Sequence, residues 1–147
     1  MEESVRFYVE GIGFRMTQKW VDEGKLRWRR LEAGGAALRQ AQGRPPQARS
    51  HPERSRGAAL MLQEFPKEGH DAWAPEGKVG EGVSVCFICE DALAIYHQVS
   101  SRGIHAARPF VGNAMWVTSL SDPDGYRIDF ESPTEAPEES EYQGSEG

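Results

Sequence analysis

DPDGYRIDFESPT, residues 122–134, is a tight turn feeding directly into a strand, and the fold is decided by how that strand is read. Pro123 presets φ at the second turn position, the Asp122 and Asp124 side chains can cap local N–H groups, and Gly125 supplies a position that tolerates φ > 0. From Tyr126 onward the residues alternate. Tyr126, Ile128 and Phe130 fall on one face, and Arg127, Asp129 and Glu131 on the other. An apolar face belongs in a core. A row of charges is costly inside a protein unless it meets water or lines a cavity, so this strand is either a solvent-facing edge or the wall of a polar pocket.

Working back from that strand, 115–121 and 104–110 read as two further strands, separated by Gly112-Asn113, and 83–89 as another. Between them 92–101 reads as a helix with Leu93, Tyr96 and Val99 inward and Gly103 ending it. The first half follows the same plan. Residues 2–10 read as a helix with Val5, Tyr8 and Val9 on one stripe and Gly11 as its stop. Strands follow over 14–22 and 25–33, joined at Glu23-Gly24, and then over 60–64. The pattern is β-α-β-β-β twice, with the first strand of the first copy absent.

One stretch does not belong to this plan. Gly35-Ala36-Ala37-Leu38 recurs as Gly57-Ala58-Ala59-Leu60. Residues 36–57 between the copies carry Arg39, Arg44, Arg49, Arg54 and Arg56 against Glu53, with almost no apolar side chain beyond Ala. Such a segment buries too little to offset its ordering entropy. It reads as an in-frame insertion tolerated as a surface loop, with a basic arm for an acidic partner as the alternative. The chain's end, with Glu135, Glu138, Glu139, Glu141 and Glu146, reads as an acidic disordered tail over 134–147.

The 147 residues fit one domain, and the net charge of -6 argues against nucleic acid as a partner. No apolar run reaches the roughly 18 residues of a membrane span, and the reading is a cytoplasmic protein. Cys86 and Cys89 have CxxC spacing, but within a strand i and i+3 point to opposite faces, so neither a bridge nor joint chelation is expected.

DPDG before a final acidic strand, together with SVRFYVEGIGF, WRRLEAGG, ALMLQEF and GVSVCFICEDALAIYHQVSSRGI in that order, resembles the vicinal oxygen chelate superfamily. That superfamily groups glyoxalases, bleomycin-resistance proteins and extradiol dioxygenases. The resemblance implies an α+β fold of paired βαβββ modules forming a curled mixed sheet around a cavity, here with the first strand of module 1 missing. It implies a single domain over 1–133, with module 1 at 1–65 interrupted by 36–57, and module 2 at 82–133.

Enzymes of this superfamily hold a divalent metal through one residue on the first and last strands of each module. Carried over position by position, the first ligand has no counterpart, and the others fall on Met61, Ser84 and Asp129. A thioether suits hard divalent ions poorly, so no metal and no other cofactor is expected. His51, His70, His97 and His105 are read as ordinary solvated or locally bonded histidines. Alternation anchored on Met61, Ser84 and Asp129 puts Arg127, Glu131, Cys86, Ile88, Ala59 and Gln63 on the concave side. Met115, Val117, Trp28 and Arg30 join them. Apolar and soft residues with a few polar groups suit a small organic molecule, whereas for Arg127 and Glu131 the plain alternative is a mutual ion pair.

Three functions stay open: a metal-free binding protein of the bleomycin-resistance kind, a metal-dependent glyoxalase-like lyase, isomerase or dioxygenase with a ligand upstream of Met1, and a degraded product without activity. An exposed sheet edge adds a motive for a homodimer.

Overall fold

The computed structural model describes residues 1–33, 58–64 and 79–144. The segment 36–57 set apart by the sequence lies outside the described residues. The chain opens with α1 (Glu2–Arg6), which runs on as a π-helical turn over Phe7–Ile12 and stops at Gly13, where φ is 96°. The stop expected at Gly11 is thus displaced by two residues. Gly11 is instead a close-packing position, where any Cβ would collide with the Ile104 side chain. The carbonyls orphaned at this helix end are taken by a neighbouring helix: Gln98 donates to the Ile12 carbonyl at 2.6 Å and Arg102 to that of Gly11 at 2.8 Å.

Strands β1 (Arg15–Asp22) and β2 (Lys25–Glu32) form a hairpin whose turn residues, Glu23 and Gly24, both have positive φ. That is the twist a two-residue hairpin prefers. β3 (Ala59–Gln63) pairs antiparallel with β2. In the second half come β4 (Ser84–Ile88), α2 (Ala92–Ser101), β5 (Phe110–Gly112), β6 (Met115–Ser121) and β7 (Arg127–Pro133). The sheets have orders β1-β2-β3 and β4-β7-β6-β5, with β4 parallel to β7. The order β1-β2-β3 of the first sheet thus matches β5-β6-β7 of the second. Among the described residues no strand lies beside β3 as β4 lies beside β7.

The strand expected over 104–110 is not one. Only Ala106 bridges to Leu120, Ala107 N–H donates to the Ser119 carbonyl, and regular pairing begins at Phe110. Pro109 interrupts it, because proline has no N–H for a ladder and disfavours regular pairing around it.

One core joins both halves. Tyr8, Ile12, Phe14 and Leu31 pack with Phe87, Cys89, Ile95, Val99, Leu120, Ile128 and Phe130. Phe87 stacks on Phe130 with centroids 5.4 Å apart and meets Phe14 edge-on at 5.6 Å. Each such side chain contributes about 1.5–3 kcal/mol of burial. On α2 the inward stripe is Ala92, Ile95, Tyr96 and Val99, so Ile95 takes the place expected of the half-buried Leu93. Two polar residues also face this core. Thr118 donates to the Ala92 carbonyl at 2.8 Å, and Ser132 accepts from the Ala92 N–H at 2.9 Å, so both are satisfied by the first turn of α2. Arg29, on the core side of β2, is the exception: its Nε is buried with no hydrogen-bond partner among the described residues.

The turn at 122–125 is held from several sides. Asp122 Oδ1 accepts the N–H groups of Asp124 and Tyr126, and its Oδ2 accepts Tyr8 O–H at 2.9 Å. Ser4 donates to Asp124, and Gly80 backs the turn so closely that a Cβ there would strike the backbone of Gly125 and Tyr126. The turn that announces the last strand is also the dock of the first helix.

The acidic tail departs most from expectation. Residues 138–142 lie along β5: Val111 N–H donates to Ser140, Glu139 N–H to Val111 and Tyr142 N–H to Pro109. The Glu138 carboxylate accepts the N–H groups of Asn113 and Ala114. Tyr142 packs its ring near Tyr96, His97 and Trp116, with its hydroxyl 2.9 Å from His97 Nε2. Glutamates read as solvated thus include one that serves as an acceptor for two orphan donors, and one aromatic residue anchors the segment.

Candidate functional site

Strand register decides what the second sheet presents away from the core. Ser84, Arg127 and Ser121 form one row across β4, β7 and β6; Cys86, Asp129 and Ser119 form the next; Ile88, Glu131 and Val117 the third. Phe110 stands beside Val117, and Gly112 beside Met115. Every second-sheet residue assigned by sequence to the concave side, Ser84, Cys86, Ile88, Met115, Val117, Arg127, Asp129 and Glu131, therefore shares this face. In the first sheet Trp28 pairs with Gln63, Arg30 with Met61 and Glu32 with Ala59, again on one face, where Met61 is 63% exposed.

At the centre of the second face is a polar cluster. Ser84 donates to Asp129 Oδ2 at 2.6 Å, Ser119 to Oδ1 at 2.6 Å, and Arg127 Nε to Oδ1 at 2.8 Å, while Arg127 Nη2 donates to the Ser119 hydroxyl at 3.1 Å. Asp129 is only 7% exposed, whereas the Arg127 side chain is about half exposed. Burial raises the Asp129 pKa, but the three hydrogen bonds and the Arg127 charge outweigh it and hold the carboxyl below its usual range. Arg127 thus pairs with Asp129, and not with Glu131 as the plain reading had it. Glu131 instead stands near Cys86. Burial first, and this carboxylate second, push the Cys86 thiol up to about 11. Cys89, on the opposite face, is buried in the core, and both cysteines are free.

Beside the cluster the face deepens into an open groove of about 650 Å³. Phe7, Ile104, Phe110, Leu120 and Pro123 supply apolar wall, and His105, Ser119, Ser121, Asp122 and Arg127 supply polar atoms. Of the residues singled out from sequence, Arg127 alone lines it; Trp28, Arg30, Met61 and Gln63 do not. Ser119 and Ser121 were within reach of sequence reasoning, since they alternate with Met115 and Val117 on β6. Phe7 and His105 carried no such signal. His105 and Ala107, on either side of the bridge of Ala106 to Leu120, border the groove; His105 is exposed, as a solvated histidine would be, but lies outside the regular strands.

The metal that the resemblance implies for catalytic members does not fit these residues. Asp129, the one carboxylate among the carried-over positions, has both oxygens engaged and a guanidinium nitrogen 2.8 Å away. A divalent ion there would displace these bonds and meet a positive charge. Met61 lies exposed on the other sheet, and among the described residues no three His, Cys, Asp or Glu side chains gather as a ligand set. No described helix is long and apolar enough to cross a membrane.

The family model described as Glyoxalase/Bleomycin resistance protein/Dioxygenase superfamily matches residues 1–130. No curated protein matches the chain. Among solved structures, the chain is similar to a glyoxalase/bleomycin resistance protein from Streptomyces sp. CB03234, with 20% identity, TM-score 0.57, and 89% of this chain and 90% of that one covered. TnmS3, an antibiotic binding protein from the same organism, shares 19% identity at TM-score 0.57, covering 90% and 86% of the two chains. TioX from Micromonospora sp. ML1 shares 15% identity at TM-score 0.59, covering 90% and 89%. At these identities the structural likeness establishes the fold.

Proposed function

Because the chain belongs to the glyoxalase/bleomycin resistance protein/dioxygenase superfamily, we propose that it is a metal-free binding protein that sequesters a small amphipathic organic molecule in the groove beside Arg127. The observation that carries this reading is the state of Asp129. Its carboxylate is committed to Ser84, Ser119 and Arg127, and so serves as a brace for the groove's polar wall and not as a donor awaiting a Lewis acid. The groove itself offers apolar walls with a few polar atoms on one side, the composition of a small-molecule site. An antibiotic binding protein of the same fold, TnmS3, adds weight to sequestration.

The test has two arms. Elemental analysis of the purified protein should find no stoichiometric metal. Added Zn²⁺, Ni²⁺, Mn²⁺ or Fe²⁺ should raise the melting temperature only slightly, since stabilisation follows RT ln(1 + [L]/Kd). In the second arm, a panel of aromatic small molecules screened by thermal shift should yield binders whose effect is lost when Ser119→Trp fills the groove. About one metal per chain, released by Asp129→Ala, would replace this reading with that of a Lewis-acid enzyme.

A further inference from the structure

We infer that the groove selects flat, neutral molecules bearing a hydrogen-bond-accepting carbonyl and discriminates against the corresponding carboxylates; this rests on the binding-protein reading above and specifies its ligand class. The argument is one of charge and donor inventory. Arg127 reaches the groove as half of an ion pair, its Nε held 2.8 Å from Asp129 and its Nη2 3.1 Å from Ser119. A guanidinium has five N–H donors and these two bonds use two, so the fork still has donors to offer. Its charge, however, is already balanced by a carboxylate that is nearly buried and held ionised.

A second carboxylate stands at the same wall. Asp122 accepts hydrogen bonds from Tyr8, Asp124 and Tyr126, so it has little accepting capacity for a ligand while its negative charge remains. The wall therefore presents donors without a net positive field. An anionic ligand would leave water for a site whose fixed charges sum to zero or below, and desolvation of a carboxylate is costly without compensating charge. A ketone, quinone or amide oxygen loses far less on leaving water and gains the same N–H contacts. Phe7, Phe110 and Pro123 supply the surface for the flat apolar body.

The experiment measures binding of 2-acetylnaphthalene, 2-naphthoate and unsubstituted naphthalene by equilibrium dialysis. The full-length wild type is compared with Asp129→Asn, Arg127→Gln and His105→Gln, each checked for fold by circular dichroism. In the wild type the ketone should bind at least about tenfold more tightly than the carboxylate. Asp129→Asn keeps the side-chain shape but uncovers the Arg127 charge, so it should swing the preference toward 2-naphthoate by about tenfold. Arg127→Gln should lower ketone affinity about tenfold, the scale of a lost charge-assisted hydrogen bond, and leave naphthalene unchanged. That variant carries the test if Asp129→Asn does not fold. His105→Gln, a change at the groove rim, should alter the affinity for all three probes alike and leave their order intact. Tighter binding of 2-naphthoate by the wild type, a preference indifferent to both Asp129→Asn and Arg127→Gln, or one abolished by His105→Gln would overturn the inference while leaving the groove as a binding site. Failure of all three probes to bind would overturn the groove itself.

Discussion

Replacing Tyr142 by Ala tests whether the acidic tail is a working part of the fold. In the wild type the ring lies 6.0 Å from Tyr96, 5.4 Å from His97 and 6.2 Å from Trp116, all near edge-on, and its hydroxyl reaches His97 Nε2 at 2.9 Å. Aromatic pairs contribute about 0.5–1.5 kcal/mol each beyond burial, and an exposed hydrogen bond about 0.5 kcal/mol. Freeing the side chain returns some rotamer entropy. The balance is a loss of about 2 kcal/mol of docking free energy. For a chain of this size, that lowers the melting temperature by roughly 4–8 °C. Calorimetry gives the shift, and amide exchange gives its location. The Val111 N–H, which donates to Ser140 at 2.8 Å, should lose protection in the variant, while Ile128 and Phe130 in the core keep theirs. Because Phe110 on the same strand walls the groove, ligand affinity should fall with it. A melting temperature within about 1 °C of wild type, together with a Val111 amide that already exchanges freely in the wild type, would show that the segment does not dock and that the reasoning is wrong.

Asp129 has a pKa depressed in the folded state, so the stability it contributes is present above its ordinary range near 4 and is lost as pH falls through the folded value. Urea titrations of Asp129→Asn between pH 6 and pH 2 should show a flatter acid slope than wild type, and equal slopes would refute the assignment. The Cys86 thiol is raised from 9.0 to about 11, so at neutral pH its thiolate is scarce and alkylation slow. Glu131→Gln should speed iodoacetamide labelling. Gly80→Ala combines a positive φ with a collision against the Gly125 backbone and should cost at least about 2 kcal/mol in denaturant unfolding. Excision of residues 36–57 should leave the melting temperature equal or higher; a large loss would mean that the segment packs.

Much of this was legible because strands write their faces into the sequence. Arg127, Asp129 and Glu131 alternate with Ile128 and Phe130, and the same parity on β4 and β6 puts Ser84, Cys86, Ile88, Met115 and Val117 on one face, as the strand register shows. What parity cannot convey is depth along a face, and the groove lies toward the end occupied by His105 and Ser121 and not at the centre. Its Phe7 wall comes from a helix whose approach depends on Tyr8 and Ser4 meeting the turn at Asp122 and Asp124, contacts separated by more than a hundred residues. Composition misled at the tail, where Glu138 is acidic for the sake of two turn N–H groups. Pro109 was a visible breaker in the stretch read as a strand, and its missing N–H explains why regular pairing starts only beside it.

Thr118 and Ser132 fasten α2 to the back of the second sheet through a single residue, Ala92, one taking its carbonyl and the other supplying an acceptor for its N–H. Such a rivet fixes the helix along its own axis, because sliding it by one step against β6 or β7 would break both bonds at once inside the core. Shear between layers is thereby closed off as a way of reshaping the sheet beneath the groove. On the proposed binding role, accommodation of differently shaped guests would fall to the irregular stretch around His105 and Ala107 and to the Phe7 turn, so related ligands should be told apart at the rim and not at the floor.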